Sequence, residues 1–217
     1  MNCVVTAGPT FETLDNVRRL TNFSTGRLGT ELANFLTTRG HTVTLLLGEP
    51  STYSGTRNVK QLERFTTTAD LTEKLHTLAR QNIGAVFHAA AVSDFRFGKI
   101  WGRLPNGELS EIKSGKLATR SGPLLAELVP TPKIIAGLRS WYPQARLVGW
   151  KFEVDGDPAR VLQAAEQQLL DCQTDACVAN GPAYGAGFGL VTGRGRCAPL
   201  AGPAELFTAL AALLPVT

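Results

Sequence analysis

Short apolar runs alternate along this chain with longer segments whose apolar residues recur at helical spacing. The runs at residues 3–7, 42–47 and 85–90 are continuous and rich in aliphatic or β-branched residues, as strands buried on both faces are. Residues 59–65 form a weaker strand candidate. Two further strands are predicted at residues 147–151 and 176–179.

Helices are predicted between these strands. Leu28, Leu32, Phe35 and Leu36 fall on one helical face, and Gly40 can end that helix in a left-handed conformation. The other predicted helices span residues 68–81, 132–142 with proline in its first turn, 158–172 and 203–214. This alternation predicts a single α/β domain over residues 1–217, a Rossmann-like three-layer fold with a mostly parallel central sheet.

One long segment breaks the alternation. From residue 95 to about 123 the sequence is rich in Gly, Pro, Lys, Arg and Ser with little periodicity. A loop of this length inside a compact domain is usually functional, and we interpret residues 97–122 as a flap. A hairpin is expected later, around residues 193–195.

Composition narrows the class of protein. Apolar residues make up 43% of the chain and charged residues 18%, which is ordinary globular usage. The sequence contains neither an apolar run of the roughly 18 residues that span a bilayer nor a signal-peptide pattern at its start. We expect a cytoplasmic protein that does not enter membranes. The four cysteines are Cys3, Cys172, Cys177 and Cys197. Because they show neither CxxC nor histidine-paired spacing, we expect reduced core thiols and predict no metal site.

The net charge of +4 suits anionic ligands. The basic residues are scattered, and no Lys/Arg-rich block with interleaved aromatic residues occurs. Phosphorylated small molecules therefore fit better than nucleic acid.

A glycine-rich segment follows the first predicted strand. TAGPT and then NFSTGRLG lead into the first amphipathic helix, so glycines let the backbone approach a phosphate, Ser24 and Thr25 supply hydroxyls, and the helix start supplies free N–H groups. The segment is neither a Walker loop nor a dinucleotide fingerprint, because about fifteen residues separate the strand from the glycines. A glycine-rich turn without a ligand is the alternative.

A second group follows the predicted strand at 85–90. Ala90, Ala91 and Asp94 stand at the carboxyl end of a parallel strand, where ligands of open α/β sheets bind. The alanines leave room for a ligand, and Asp94 can accept hydrogen bonds from a sugar or base. Alternatively, Asp94 caps the following turn.

These motifs together resemble the phosphopantothenoylcysteine synthetase family, which many bacteria carry fused behind a flavin-dependent decarboxylase. The resemblance rests on TAGPTFETLDNVRRLTNFSTGRLG and HAAAVSDF, with weaker matches at VGWKFE and VAN. It covers nearly the whole chain in the right order.

The resemblance implies roles for individual residues. It implies that Gly8, Ser24, Gly26 and Gly29 hold a nucleoside triphosphate and that Asn22 is catalytic and binds the substrate. It also implies that Ala90 and Ala91 face phosphopantothenate and that Asp94 contacts the nucleotide. An asparagine before a helix can instead cap it.

Two later residues remain open between two readings. Trp150 can stack on a base and Asn180 can read a base edge, or the two can be packing and turn residues. His88 matches no functional position of the family, and we interpret it as a satisfied core residue.

The sequence departs from the family pattern at several lysines. Glu111 replaces the first lysine of the flap motif, Lys113 is retained as a catalytic candidate, and Lys116 or Lys99 can reach the phosphates instead. Glu127 replaces another lysine. Gln168 and Cys172 stand where CTP-using members carry two lysines, which leaves CTP or ATP open as cosubstrate.

The implied reaction joins L-cysteine to 4′-phosphopantothenate through an acyl nucleotide, with Mg²⁺ and without flavin, in a homodimer completed by the flap. No decarboxylase is expected, because Met1 directly precedes the first strand. Two alternatives remain: a diverged nucleotide-binding or regulatory subunit, suggested by the missing lysines, and a Rossmann-type NAD(P)-dependent oxidoreductase, which the displaced glycines disfavour.

Overall fold

The computed structural model describes residues 1–118 and 122–215. In chain order, its strands are β1 (Asn2–Ala7), β2 (Phe11–Thr13), β3 (Arg19–Thr21), β4 (Thr42–Gly48), β5 (Gln61–Phe65), β6 (Ala85–His88), β7 (Phe95–Arg103), β8 (Leu109–Glu111), β9 (Leu124–Pro130), β10 (Arg146–Phe152), β11 (Ala176–Asn180), β12 (Phe188–Gly193) and β13 (Arg196–Leu200). The helices are α1 (Arg27–Thr38), α2 (Thr68–Leu78), α3 (Ile134–Trp141), α4 (Pro158–Cys172) and α5 (Pro203–Ala212).

An eight-stranded sheet forms the centre of the fold, in the order β13-β12-β11-β10-β6-β1-β4-β5. The strands from β5 to β11 are parallel, whereas β12 and β13 are antiparallel additions at one end. The six parallel strands follow the doubly wound order of dinucleotide-binding folds, in which the direction of winding reverses between β1 and β6. The predicted α/β fold with a mostly parallel sheet is confirmed.

Helices cover both faces of the sheet. Leu32 and Leu36 of α1 pack with Leu206 and Leu210 of α5 on one face. On the other face, α2 and α3 share a second core, and α4 packs over β11 and β12 in a third. Burial of these apolar stripes on both sides explains why the strands lack polar alternation.

The flap contains more regular structure than the sequence indicates. Strands β8, β7 and β9 form a separate three-stranded antiparallel sheet, and none of the three was predicted. In β9 both faces of the strand are largely exposed, so the alternation that normally reveals an antiparallel strand is absent. The prediction of an irregular loop was therefore wrong.

Smaller differences occur at element ends. The loop after β1 contains the hairpin of β2 and β3. Helix α3 begins at Ile134 after the N-cap Lys133, so Pro132 precedes the helix and does not lie in its first turn. Helix α2 begins after Thr67, whose hydroxyl accepts from the N–H of Asp70.

The outer strands of the central sheet are short and largely exposed. At one end, β13 has the sequence RCAPL, and Pro199 lies opposite Gly189 of β12. At the other end, Glu63 and Arg64 lie in β5.

The four cysteines are free. Burial raises the pKa of Cys3 to about 11 and that of Cys177 to about 12, which keeps both thiols protonated at neutral pH. The expectation of core thiols is wrong for Cys197, which is exposed because it lies on the outer strand β13. Within the described part of the chain, no helix combines the length and the apolar character needed to cross a membrane.

Candidate functional site

A cavity of about 1060 Å³ opens at the carboxyl ends of β1 and β6, where the winding of the sheet reverses. Its walls come from the β3–α1 loop, the segment after β6, and helices α3 and α4. The structure brings ten of the predicted residues to this cavity: Gly8, Asn22, Ser24, Gly26, Gly29, Ala90, Ala91, Asp94, Trp150 and Asn180. Their individual roles remain predictions.

The N-terminus of α1 lies at the cavity without an N-cap side chain. Gly26 precedes the helix with φ 79°, the first turn carries no acid, and the N–H of Arg27 donates to Thr25 Oγ1 at 3.3 Å. The first N–H groups of a helix lack partners within the helix and form the positive end of its dipole. An anionic ligand can therefore supply the missing acceptors.

Glycine at position 29 allows α1 to pack directly on β1. A Cβ there would lie 2.7 Å from the Cβ of Ala7 and 3.1 Å from the carbonyl oxygen of Thr6. Gly8 has φ 78°, and a Cβ at that position would overlap the Ser51 hydroxyl. Both glycines thus keep the backbone close together where strand, loop and helix meet.

Asn22 is tied to the opposite wall of the cavity. Its Nδ2 donates to the carbonyl oxygen of Ala91 at 3.1 Å. That carbonyl also accepts from the N–H of Thr10, and the N–H of Ala91 donates to the carbonyl of Gly8. These bonds fix the Asn22 side chain relative to the residues that follow β6.

Asp94 forms an ion pair with Lys133 at the mouth of the cavity. Neither Lys133 nor Lys151 was assigned a role from the sequence. Lys151 also lines the cavity, and its Nζ lies 3.0 Å from Glu153 Oε1. Both lysines could have been proposed from their places in the predicted fold. Lys151 lies near the carboxyl end of a predicted parallel strand, and Lys133 lies near the start of a predicted helix. Each brings a cation to the cavity.

Trp150 and Asn180 carry unpaired polar atoms. Trp150 Nε1 and Asn180 Oδ1 are enclosed, yet no described residue forms a hydrogen bond with either. Leaving a buried donor or acceptor unsatisfied costs about 1–3 kcal/mol. A ligand in the cavity reaches these two atoms only after the side chains that enclose them have moved.

His88 is buried at the floor of the cavity. Its Nδ1 lies 2.9 Å from Thr6 Oγ1, which also accepts from the N–H of Ala90 at 3.1 Å. Burial lowers the pKa of His88 to about 4. The residue is buried as predicted from sequence, but it also lines the cavity.

The flap lysines do not line this cavity. Lys113 is largely exposed, with its Nζ 3.9 Å from Glu111 Oε1, and Glu111 also lies 3.5 Å from Lys99. Lys116 is likewise absent from the cavity lining, and the Glu127 carboxylate accepts from the N–H of Lys99. The acids at the positions expected for lysines thus contact Lys99 and Lys113. By contrast, Gln168 and Cys172 line the cavity wall formed by α4.

The LDNVR segment fastens the base of the flap. The buried Asp15 carboxylate accepts from the N–H of Leu117 at 3.0 Å and from Arg18 Nη2 at 2.6 Å. Arg18 also donates to the carbonyl of Leu117, and the N–H of Asn16 donates to that of Gly115. The Arg18 guanidinium, with the backbone N–H groups, holds the pKa of Asp15 well below its usual range. From the sequence, LDNVR was only a point of resemblance to the family, and its contact with the flap was not predicted.

Comparison with known proteins gives one family match and several relatives. Residues 1–198 match the family described as DNA/pantothenate metabolism flavoprotein C-terminal domain. The coenzyme A biosynthesis bifunctional protein CoaBC of Thermococcus kodakarensis is 35% identical over 178 residues, covering 82% of this chain and 40% of that protein. Human phosphopantothenate–cysteine ligase is 33% identical over 122 residues, covering 54% of this chain and 35% of that protein.

Among solved structures, the DNA/pantothenate metabolism flavoprotein from Streptococcus pneumoniae matches with a TM-score of 0.85 and 25% identity. The match covers 98% of this chain and 97% of that chain. This chain therefore corresponds to less than half of the bifunctional Thermococcus protein but to nearly all of the Streptococcus chain.

Proposed function

Because the chain belongs to the family of the DNA/pantothenate metabolism flavoprotein C-terminal domain, we propose that it is a ligase of coenzyme A biosynthesis. In this proposal it joins L-cysteine to 4′-phosphopantothenate through an acyl-nucleotide intermediate. Residues 1–217 act as one synthetase-like domain that includes the flap, and the enzyme works in the cytoplasm.

The observation that carries the proposal is the start of α1, without an N-cap side chain, beside Asn22. The helix offers free N–H groups and a positive dipole end at the point where the winding of the sheet reverses. Such a position suits the polyphosphate of a nucleotide. Asn22, held against Ala91, lies between this cradle and the residues that follow β6.

The proposed reaction has two steps. A carboxylate oxygen of 4′-phosphopantothenate attacks the α-phosphorus of the nucleoside triphosphate, and pyrophosphate leaves. The cysteine amine then attacks the acyl carbon, the bond to the nucleotide oxygen breaks, and an amide, a nucleoside monophosphate and a proton result. Both steps depend on positioning and on charge neutralisation more than on a strong base.

Within this scheme the α1 amides and Ser24 bind the phosphates, and Ala90 and Ala91 leave space for the pantothenate arm. Asn22 orients the reacting carbonyl through its amide. Asp94 binds the nucleotide, and Lys133 balances its charge. Trp150 and Asn180 line the wall against which the nucleotide lies.

The cosubstrate is CTP or ATP, bound with Mg²⁺. Among residues 1–118 and 122–215, no cluster of three His, Cys, Asp or Glu side chains is arranged to hold a metal ion. Since Mg²⁺ is commonly bound through nucleotide phosphates with few protein ligands, it enters as part of the nucleotide complex. Gln168 and Cys172 in place of two lysines weaken the case for CTP.

A homodimer would bring flap lysines to the site of the other subunit. The flap and the β2–β3 hairpin expose apolar side chains that a second copy can cover: Val17, Leu20, Phe95, Leu104, Leu109 and Leu128. In such a dimer, Lys113 and Lys116 of one flap reach the phosphates bound by the partner. Leu128→Glu should then shift the mass in solution from dimer to monomer, whereas Leu170→Glu, an exposed position on α4, should leave it unchanged.

Pyrophosphate release tests the ligase activity. CTP and ATP are supplied in parallel with 4′-phosphopantothenate, with and without L-cysteine. We expect pyrophosphate with at least one nucleotide, and the amide product only when cysteine is present. Nucleotide binding without pyrophosphate release in the complete mixture would favour the diverged regulatory subunit, for which the pairing of Glu111 with Lys99 and Lys113 is the motivation.

A further inference from the structure

His88 occupies a position where an apolar side chain would suffice for packing. Its ring lies at the end of β6 between Thr6 of β1 and Gly149 of β10 in the register of the sheet. Burying an imidazole lowers its pKa and costs free energy unless both nitrogens have partners. Only one of the two nitrogens has a partner in the described part of the chain.

The hydrogen bonds around Thr6 favour one tautomer of His88. Thr6 Oγ1 accepts from the N–H of Ala90, and its one other hydrogen-bond partner among the described residues is His88 Nδ1, so the hydroxyl proton is satisfied when Nδ1 accepts it. Because His88 is neutral at physiological pH, the ring proton then resides on Nε2. The ring therefore offers an uncharged N–H donor on the side away from Thr6.

The space around that donor is open. Nε2 is not among the enclosed polar atoms that lack partners, and His88 lines the cavity. Its neighbour on β10 is Gly149, where a Cβ would lie 2.5 Å from Ile135 Cδ1 and 2.6 Å from Gln168 Nε2. Ile135 of α3 and Gln168 of α4 therefore fill the space that a larger residue at this position would need, and both residues also line the cavity.

We propose that His88 is a substrate-contacting residue whose Nε2–H donates to an uncharged acceptor, a carbonyl oxygen or ring nitrogen, of a ligand bound in the cavity that His88 lines. This inference rests on the proposed ligase function for the identity of the ligand. Both the base of the nucleotide and the amide of 4′-phosphopantothenate carry such an acceptor. The hydroxyl of Thr6 positions the ring for this contact.

Two substitutions separate the two nitrogens of the ring. The amide of asparagine overlays Nδ1, so His88→Asn keeps the contact with Thr6 and loses the donor to the cavity. The longer His88→Gln keeps a donor near the Nε2 position and gives up the contact with Thr6. His76→Asn, on α2 outside the cavity lining, is the matched control.

Steady-state kinetics provide the first test. Loss of one hydrogen bond to substrate should lower kcat/KM of His88→Asn by about tenfold, with His88→Gln closer to wild type and His76→Asn unchanged. A rise in the KM for nucleotide identifies the base as the acceptor, whereas a rise in the KM for 4′-phosphopantothenate identifies the pantothenate amide. Wild-type kinetics in a folded His88→Asn variant would overturn the inference.

Imidazole ¹⁵N spectra provide a test that does not require turnover. The chain has three histidines, and the signals lost in His88→Asn identify His88. We expect an Nε2–H tautomer whose Nε2 resonance shifts when CTP, ATP or 4′-phosphopantothenate binds. An Nδ1–H tautomer, or no shift on addition of a molecule that binds, would overturn the inference. If wild type binds and shifts the signal but releases no pyrophosphate, the ligase proposal fails while the contact of His88 stands.

Discussion

The side-chain amide of Asn22 donates to the backbone carbonyl of Ala91 at 3.1 Å, across 69 positions of sequence. The bond joins the loop before α1 to the segment after β6, and both residues line the cavity. A predicted catalytic residue is thus held against a predicted substrate-binding residue before any ligand arrives. Such preorganisation reduces what must be ordered during reaction.

Asn22→Asp should leave nucleotide binding largely intact and reduce amide formation. The carboxylate cannot donate to the Ala91 carbonyl, and it places a negative charge near an anionic reaction centre. Loss of an oriented donor of this kind typically lowers kcat by about 10²–10³. Asn82→Asp, an exposed position at the opposite end of the strands, is the control. Turnover like that of wild type would remove the catalytic assignment of Asn22.

Gly29→Ala should separate α1 from β1 and weaken nucleotide binding. The added methyl group would lie 2.7 Å from Ala7 Cβ and 3.1 Å from the Thr6 carbonyl, and overpacking of this kind costs roughly 1–3 kcal/mol. The control is Gly40→Ala, just beyond the other end of α1. There φ is 84°, and an added Cβ would have no neighbouring atom within 4 Å. That change should cost about 1–2 kcal/mol through backbone strain alone and leave nucleotide affinity unchanged. Urea unfolding and calorimetric titration measure the two effects, and equal nucleotide affinities in the two variants would contradict the predicted role of the α1 start.

Asp15→Asn should loosen the base of the flap. The amide replaces one carboxylate oxygen with a donor that faces the N–H of Leu117 and the Arg18 guanidinium. Hydrogen exchange should accelerate at Leu117 and Asn16 and remain slow in the central sheet. In Asp157→Asn the N-cap of α4 should tolerate the same change, because asparagine caps helices about as well as aspartate. Unchanged exchange at Leu117 would show that Asp15 does not hold the flap.

His88 should make the protein less stable in mild acid. The unfolded state binds a proton with a pKa near 6.5, whereas burial lowers the pKa of folded His88 to about 4. The unfolded state therefore binds more protons between these values, so the stability present above pH 6.5 is lost as the pH falls towards 4, by about 3 kcal/mol. Urea unfolding at pH 7.5 and 4.5 should show a larger loss in wild type than in His88→Asn. Equal losses in the two proteins would contradict a buried neutral imidazole.

The sequence predicted the central sheet well because its strands are buried on both faces. A continuous apolar run such as VTLLL, flanked in the sequence by segments of helical periodicity, is typical of a buried parallel strand. Strand β9, with the sequence LLAELVP, escaped prediction because both its faces are largely exposed. Strand β9 is held by its pairing with β7, and a pairing between distant segments leaves no local periodicity in the sequence.

The cavity and its Asp94 were predicted through motifs, whereas the lysines Lys133 and Lys151 were not. Glycines and Asn22 lie in contiguous segments with recognisable chemistry, so their position at a strand end followed from topology. The pairing of Lys133 with Asp94 joins positions 39 residues apart at the mouth of the cavity. Neither that contact nor the packing of Ile135 and Gln168 against Gly149 was predicted from the sequence.

The outer strands of the central sheet have a consequence for how copies of the chain meet. Pro199 in β13 lacks the N–H that a neighbouring strand would require, and the charges of Glu63 and Arg64 in β5 oppose the approach of another polypeptide edge. Continuous cross-chain sheets, and the fibrous aggregates that grow from them, are thereby disfavoured at both ends.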